Sequence, residues 1–320
     1  MIRLRLLAVT LLAFSLIACG GGGGSSSGSS PYTGITTAAV ITSTNADNII
    51  RSAYQGGDAS TAFVSPLSAS TSEPQNVSTA SPPKVYSIVQ VLKEISGKAC
   101  GQRFTAGKVA PKAVVSESGT LNDGYGGSVS YSLSVDDQSG AFTGSFTASN
   151  YHGDGGGTIS GAMTVSGTYN IALDVFDNIN FTLSSVTVTD ASSSVTVSGS
   201  VVLLNGNPAT GTVTLYLTDN VTGKTDWIDN FMINVTEGLG YVDATLSGKI
   251  YLHDYGYVVI STSTPFRFLA GSTYPSSGTM IVTGASNGRA KLTVVNSTSY
   301  TIDVDANGDG TYETSSSHTW

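Results

Sequence analysis

The chain has 320 residues, of which 40% are hydrophobic and only 11% charged, with 38 Gly and 2 Cys. Soluble domains usually carry about 25% charged residues, and here Ser, Thr, Gly and Asn stand in their place, which excludes a coiled coil and an ordinary helical enzyme. The net charge of −8 repels phosphate backbones and suits cations, so no nucleic acid is expected as a partner.

Arg3 and Arg5 precede an apolar run from Leu6 to Ile17. That run is shorter than the roughly 17–25 residues of a membrane-spanning helix and fits the core of a signal peptide. It ends in Leu16-Ile17-Ala18-Cys19, which resembles a bacterial lipobox. The resemblance implies a signal peptide over 1–18, cleavage after Ala18 and lipidation of the Cys19 thiol by palmitate or a similar chain. The membrane is then a partner through the lipid anchor. Gly20 stands where an Asp favours inner-membrane retention in Gram-negative lipoproteins. The expectation is therefore an outer-membrane lipoprotein of the cell envelope, facing the periplasm or the cell surface. Cys100 is the one other cysteine. A lone thiol makes no internal disulfide, and it reads as a small buried residue.

Residues 19–30 hold the lipidated Cys and a Gly/Ser tether, whose coil over residues 20–30 spans about 18 Å. Residues 31–112 are mixed and predict two short helices. The first runs from Ala46 to Tyr54, capped by Asn45 or Thr44 and stopped by Gly56-Gly57. Residues 58–82 are rich in Ser, Thr and Pro and read as a loop. The second helix starts near Pro83, with Val85, Ile88, Val89, Leu92 and Ile95 on helical spacing and Gly97 at its end.

From residue 113 to 320 the period changes to two. Val129, Tyr131, Leu133 and Val135 alternate with small polar residues, as do Ile179, Phe181 and Leu183, then Val213, Leu215 and Leu217, then Phe231, Ile233 and Val235. Such alternation predicts half-buried antiparallel strands, about a dozen of them. Turn clusters separate them at 136–140, 153–157, 205–208, 219–223 and 287–288. The phase slips after Leu183 through Ser184-Ser185, which predicts a bulge. An apolar-Ser/Thr-Gly pattern recurs, as in Ile159-Ser160-Gly161, Val197-Ser198-Gly199 and Leu246-Ser247-Gly248, and marks further bends or bulges. The fold class is mainly β: a large antiparallel meander curled into a barrel-like or sandwich sheet, with one or two N-terminal helices packed on it. A membrane barrel is disfavoured, because His318, Ser316 and Thr314 give the last strand no apolar outer face.

One motif carries chemistry. Asp305, Asn307 and Asp309 are spaced i, i+2, i+4, with Gly310 next and Glu313 at i+8. Calcium takes about 6–8 hard oxygens, which a tight loop supplies from alternate side chains and a carbonyl. The string resembles the DxNxDGxx(D/E) loops of calcium-binding β-hairpins such as integrin-type repeats. It departs from an EF-hand, since Ser316 stands where the bidentate Glu would be. The resemblance implies calcium as cofactor, with Asp305, Asn307, Asp309 and Glu313 as side-chain ligands and Thr311 offering its carbonyl. Asn-Gly and Asp-Gly also form hairpin turns without any metal.

Enzyme signatures are missing. No nucleophile elbow lies outside the tether, and no HExxH, phosphate loop or CxxC occurs, so no catalytic residue is assigned and the chain is not read as an enzyme. His152, His253 and His318 lie far apart and read as solvated turn residues. Trp227, Tyr251, Tyr255 and Tyr257 form a candidate ligand-binding group, because amphipathic aromatics stack on sugars; they also fill cross-strand pairs. The stretches KIYLHDYGYVVISTSTPFRF and DVDANGDGTYE resemble a mainly β kind of bacterial lipoprotein, and no activity comes with that resemblance. The expected role is structural or binding, braced by calcium. A surface lipoprotein that binds a carbohydrate or peptide is the first alternative. A periplasmic carrier of a hydrophobic ligand in a barrel cavity is the second. The small-molecule, glycan or protein partner stays open.

Overall fold

The computed structural model of the chain describes residues 31–54 and 114–320, apart from 137, 153–156, 171–174, 190–193, 207, 271 and 273. The alternation becomes fourteen strands: β1 (Val114–Asn122), β2 (Ser128–Asp136), β3 (Ala141–His152), β4 (Thr158–Asn170), β5 (Val175–Thr189), β6 (Ser194–Leu204), β7 (Ala209–Asp219), β8 (Thr225–Gly238), β9 (Tyr241–Leu252), β10 (Gly256–Leu269), β11 (Ser277–Thr283), β12 (Arg289–Asn296), β13 (Ser299–Asp305) and β14 (Thr314–Thr319). They form one sheet in chain order, each strand beside the next. The expected turns fall between strands, and the meander is the antiparallel one the alternation predicts. The barrel is not observed: β1 lies at one end of the order and β14 at the other. β14 reads TSSSHT and has no apolar residue to add to a closed interior. One helix, α1 (46–54), stands among the described residues. The helix expected from Pro83, Cys19 and Cys100 lie outside them.

Contacts divide the strands into two compact units. In the first are β1 to β6, with residues 219–221. In the second are residues 31–54, β7 up to residue 218, and residues 222–320.

In the first unit the apolar positions face one way. Phe142 and Phe146 of β3, Val165 of β4 and Phe181 of β5 are all buried. Full burial of such side chains is worth about 1.5–3 kcal/mol each. The opposite face is hydroxyl. Ser118, Ser132, Ser145, Thr164, Thr182 and Ser200 stand directly opposite one another across β1 to β6. The next row reads Ser116, Ser134, Thr143, Ser166, Asn180 and Val202. Neither row contains a charge. The predicted bulge is present: β5 and β6 change register between Leu183 and Val186.

In the second unit α1 supplies the apolar cover. Ala46, Ile49, Ile50 and Ala53 are buried, and Tyr54 packs edge-on against Phe266 of β10 at 5.4 Å. The helix begins after Asn45, but the Asn45 Oδ1 accepts the Thr42 amide upstream at 2.8 Å rather than an amide of the first turn, so the expected cap is not the bond it makes. Phe231, Ile233, Val258, Met280 and Ile302 form the buried face of the strands. Gly248 marks a bulge, with φ +139 in β9 and a register shift between Asp229 and Met232 of β8; Asn230, inside that shift, has φ +47. Asn tolerates the left-handed region better than most residues. The Ser/Thr-Gly pattern therefore encoded a bend, as its glycine suggested.

Candidate functional site

The acidic loop joins β13 to β14. Asp305 ends β13 and is fully buried at 0% exposure. Its two carboxylate oxygens accept different backbone amides, Gly308 at 2.7 Å and Gly310 at 3.0 Å. This wraps the chain around the carboxylate. Both glycines take left-handed conformations, φ +76 and +92. At Gly308 a Cβ would stand 2.3 Å from the Ser286 carbonyl oxygen, so the loop is seated against the 3-10 turn Ala285–Asn287 through a contact only glycine permits.

The other acidic side chains fold inward. Asp309 accepts the Thr311 amide at 2.8 Å, and Asn307 bonds Asp309 through both ends of its amide group, at 2.8 and 3.1 Å. Glu313 accepts the Ala306 amide at 3.1 Å. The Thr311 amide holds the Asp309 carboxyl below the usual carboxylate range. Asp305, Asp309 and Glu313 each place a carboxylate oxygen within 4.8 Å of the others. Three like charges at that spacing repel unless a cation sits among them. The structure thus brings together three of the five residues named from the spacing. Asn307 is tied to Asp309, and the described contact of Thr311 is its amide rather than its carbonyl. The donor set is all oxygen, which fits a hard cation such as calcium.

The aromatic group forms a ladder. Tyr216 of β7, Trp227 of β8, Tyr251 of β9 and Tyr257 of β10 stand directly opposite one another in sequence. Trp227 and Tyr251 stack at 4.3 Å and 12°, and Tyr216 stacks on Trp227 at 5.6 Å and 19°. Lys249 Nζ lies 4.7 Å from the Tyr257 ring centre. Tyr32, from the N-terminal segment, meets Tyr251 edge-on at 5.6 Å and Trp227 at 6.0 Å. Three of the four aromatic residues singled out above belong to this ladder. Tyr255 does not; it sits in the β9–β10 turn, with its hydroxyl 3.5 Å from Asn48 Nδ2. Tyr216 and Tyr32 were not legible as members. Tyr216 was hidden in an alternating strand, and Tyr32 arrives from a segment with no strand pattern.

Two histidines are more than solvated turn residues. Asp123, in the β1–β2 turn, has no exposed side-chain surface and pairs with His152 Nδ1 at 2.7 Å. It also accepts the amides of Tyr125, Gly127 and His152, at 2.7, 2.9 and 2.8 Å. Burial pushes its carboxyl up, but these donors outweigh burial and hold it well below the carboxylate range. His318 of β14 lies between Arg51 and Ser316. Arg51 only donates, so Nδ1 accepts and Nε2 carries the proton toward Ser316 at 2.8 Å. Burial first, and then Arg51, push the His318 pKa down against the pull of Asp47. His318 does meet a hydroxyl, but its Nδ1 faces the Arg51 guanidinium where a catalytic triad places a carboxylate.

No protein family, curated protein or solved structure matches the chain.

Proposed function

We propose that this chain is an envelope lipoprotein, held at the outer membrane through Cys19, whose β-sheet serves a structural or binding role and is braced by calcium at residues 305–313. One observation carries the calcium reading: the convergence of Asp305, Asp309 and Glu313 oxygens within 4.8 Å on a loop already wrapped by its own amides. The ion would neutralise the cluster and fasten the β13–β14 hairpin to the Ala285–Asn287 turn. Its role is bracing rather than chemistry on a substrate. The anchor rests on the lipobox-like Leu16-Ile17-Ala18-Cys19.

Calcium titration by calorimetry tests the loop. The full chain should bind one ion there, and Asp309→Asn should weaken binding at least tenfold. Equal affinity in the two proteins overturns the assignment. Labelling cells with an alkyne-tagged palmitate tests the anchor. The expected label is lost in Cys19→Ser, and a label that persists in that variant removes the anchor from the account.

A further inference from the structure

The N-terminal segment is a strap across one end of the second unit. The Ile35 amide donates to the His253 carbonyl at 3.2 Å. Thr37 and Ala39 pair with Tyr257, at 2.9 and 2.8 Å, in a parallel bridge. Ala39 then accepts the Ala285 amide at 2.7 Å. The leading end of this strap carries Tyr32, 8% exposed. Its ring lies against Trp227, Tyr251 and His253, and its hydroxyl donates to Ile35 of the strap itself at 2.8 Å.

Tyr32 fills this place imperfectly. Trp227 Nε1 and His253 Nδ1, on two rings that both pack against it, are buried without a hydrogen-bond partner. Buried polar groups are nearly always paired, and an unpaired one carries a desolvation penalty. Beside them Asp226 accepts the His253 amide at 2.8 Å, and burial raises its carboxyl above the usual range. Under the tyrosine there are therefore the rim of Trp227, whose two faces Tyr216 and Tyr251 cover, the ring of Tyr251, one N–H donor, one imidazole nitrogen and one carboxylate. The place the phenol occupies is that of a single six-membered ring. A ring with hydroxyls on several edges would also reach the two nitrogens that the phenol leaves unpaired.

We propose that Tyr32 is a built-in plug in a saccharide subsite formed by Trp227, Tyr251, His253 and Asp226, and that release of strap residues 31–36 opens it to a neutral pyranose. The proposal rests on the binding role above and not on the calcium loop, whose titration these variants leave unchanged. Failure of one is therefore distinguishable from failure of the other.

The test uses the full chain carrying Trp320→Phe, so that Trp227 is the sole tryptophan and its emission is excited apart from that of the tyrosines. Tyr32→Ala removes the plug. Gly34→Ala displaces the strap by a different route, because its Cβ would stand 2.7 Å from the His253 Cα. In both variants Trp227 should become accessible to acrylamide. Maltohexaose, cellohexaose or chitohexaose should then shield it again, with half-saturation at least tenfold lower than in the parent. A synthetic peptide of residues 31–41 should compete. Trp227 that stays shielded in both variants shows that the strap is not the cover, and overturns the proposal. Trp227 that opens yet is shielded by the peptide alone, or by nothing, overturns the saccharide.

Discussion

Among the described residues each unit buries one aspartate beside a turn, and the two are settled in different ways. Asp123 of the first unit meets three amides and an imidazole. Donors surround it, so its charge is satisfied inside the protein. Asp305 of the second unit meets two amides and then two more carboxylates, Asp309 and Glu313. Its amides shape the loop, but negative charge is left over. Burial alone therefore does not single out an acidic residue as a candidate metal ligand. What distinguishes the two is whether the protein supplies the counter-charge.

The outward faces differ in the same sense. The first unit turns rows of hydroxyls outward, which are self-sufficient: Ser116 and Ser134 pair at 2.8 Å, and Thr187 with Thr196 at 3.0 Å. The second unit carries the aromatic ladder, the Lys291–Asp303 pair at 2.9 Å and the Arg267–Asp243 pair at 2.7 Å. The residues on which binding is proposed all lie in the second unit.

The largest effect that separates the units comes from their cores. Phe146→Ala and Phe231→Ala should each cost about 3–5 kcal/mol. If the units are cooperative bodies in their own right, each variant lowers hydrogen-exchange protection mainly in its own unit. Protection lost equally over the whole chain would mean that the sheet unfolds as one.

Asp123→Asn comes next. It withdraws the charge that four donors were arranged to meet and should cost about 3 kcal/mol in denaturant melts. The sign with pH follows from the depressed carboxyl. The stabilisation is complete above the unfolded value of about 3.9 and is lost as pH falls from there toward the lower folded value. The native chain should therefore weaken steeply below pH 4, and the Asn variant less so. Parallel acid profiles would show that Asp123 does not carry that dependence.

The ladder is expected to matter less. Tyr251→Leu keeps much of the apolar area but removes the stack on Trp227, which is worth about 0.5–1.5 kcal/mol. A double-mutant cycle with Trp227→Leu should return a coupling of that size, and additive losses would mean that the rings merely lie near one another. Least of all, Ser145→Ala in the central hydroxyl row should stay within about 0.5 kcal/mol. A larger loss would give that face a role in stability.

These differences explain what was legible beforehand. The alternation at Val129 to Val135 and Val213 to Leu217 showed the strands because every second residue faces the core, a constraint local to each strand. Leu183-Ser184-Ser185-Val186 showed its bulge for the same reason. The acidic loop was legible because Asp305, Asn307, Asp309 and Glu313 lie within nine residues of sequence. Closure was not legible, because it depends on whether β1 meets β14, the two strands furthest apart in the order of the sheet. The hydroxyl rows and the Tyr216–Trp227–Tyr251–Tyr257 ladder depend on register across strands. Asp123–His152 joins residues 29 apart, and Tyr32 reaches Leu252 across 220. Neither partner carries a motif that names the other.

The calcium-braced loop is the central claim, and hydrogen exchange of the full chain with EDTA and then with calcium restored tests it most directly. At one hundred times the dissociation constant, a bound ion adds about 2.7 kcal/mol to the state that holds it. The account predicts slower exchange over residues 299–319 and 285–288, and no change over 141–188. Unchanged exchange at 299–319, or equal slowing in both units, would contradict it.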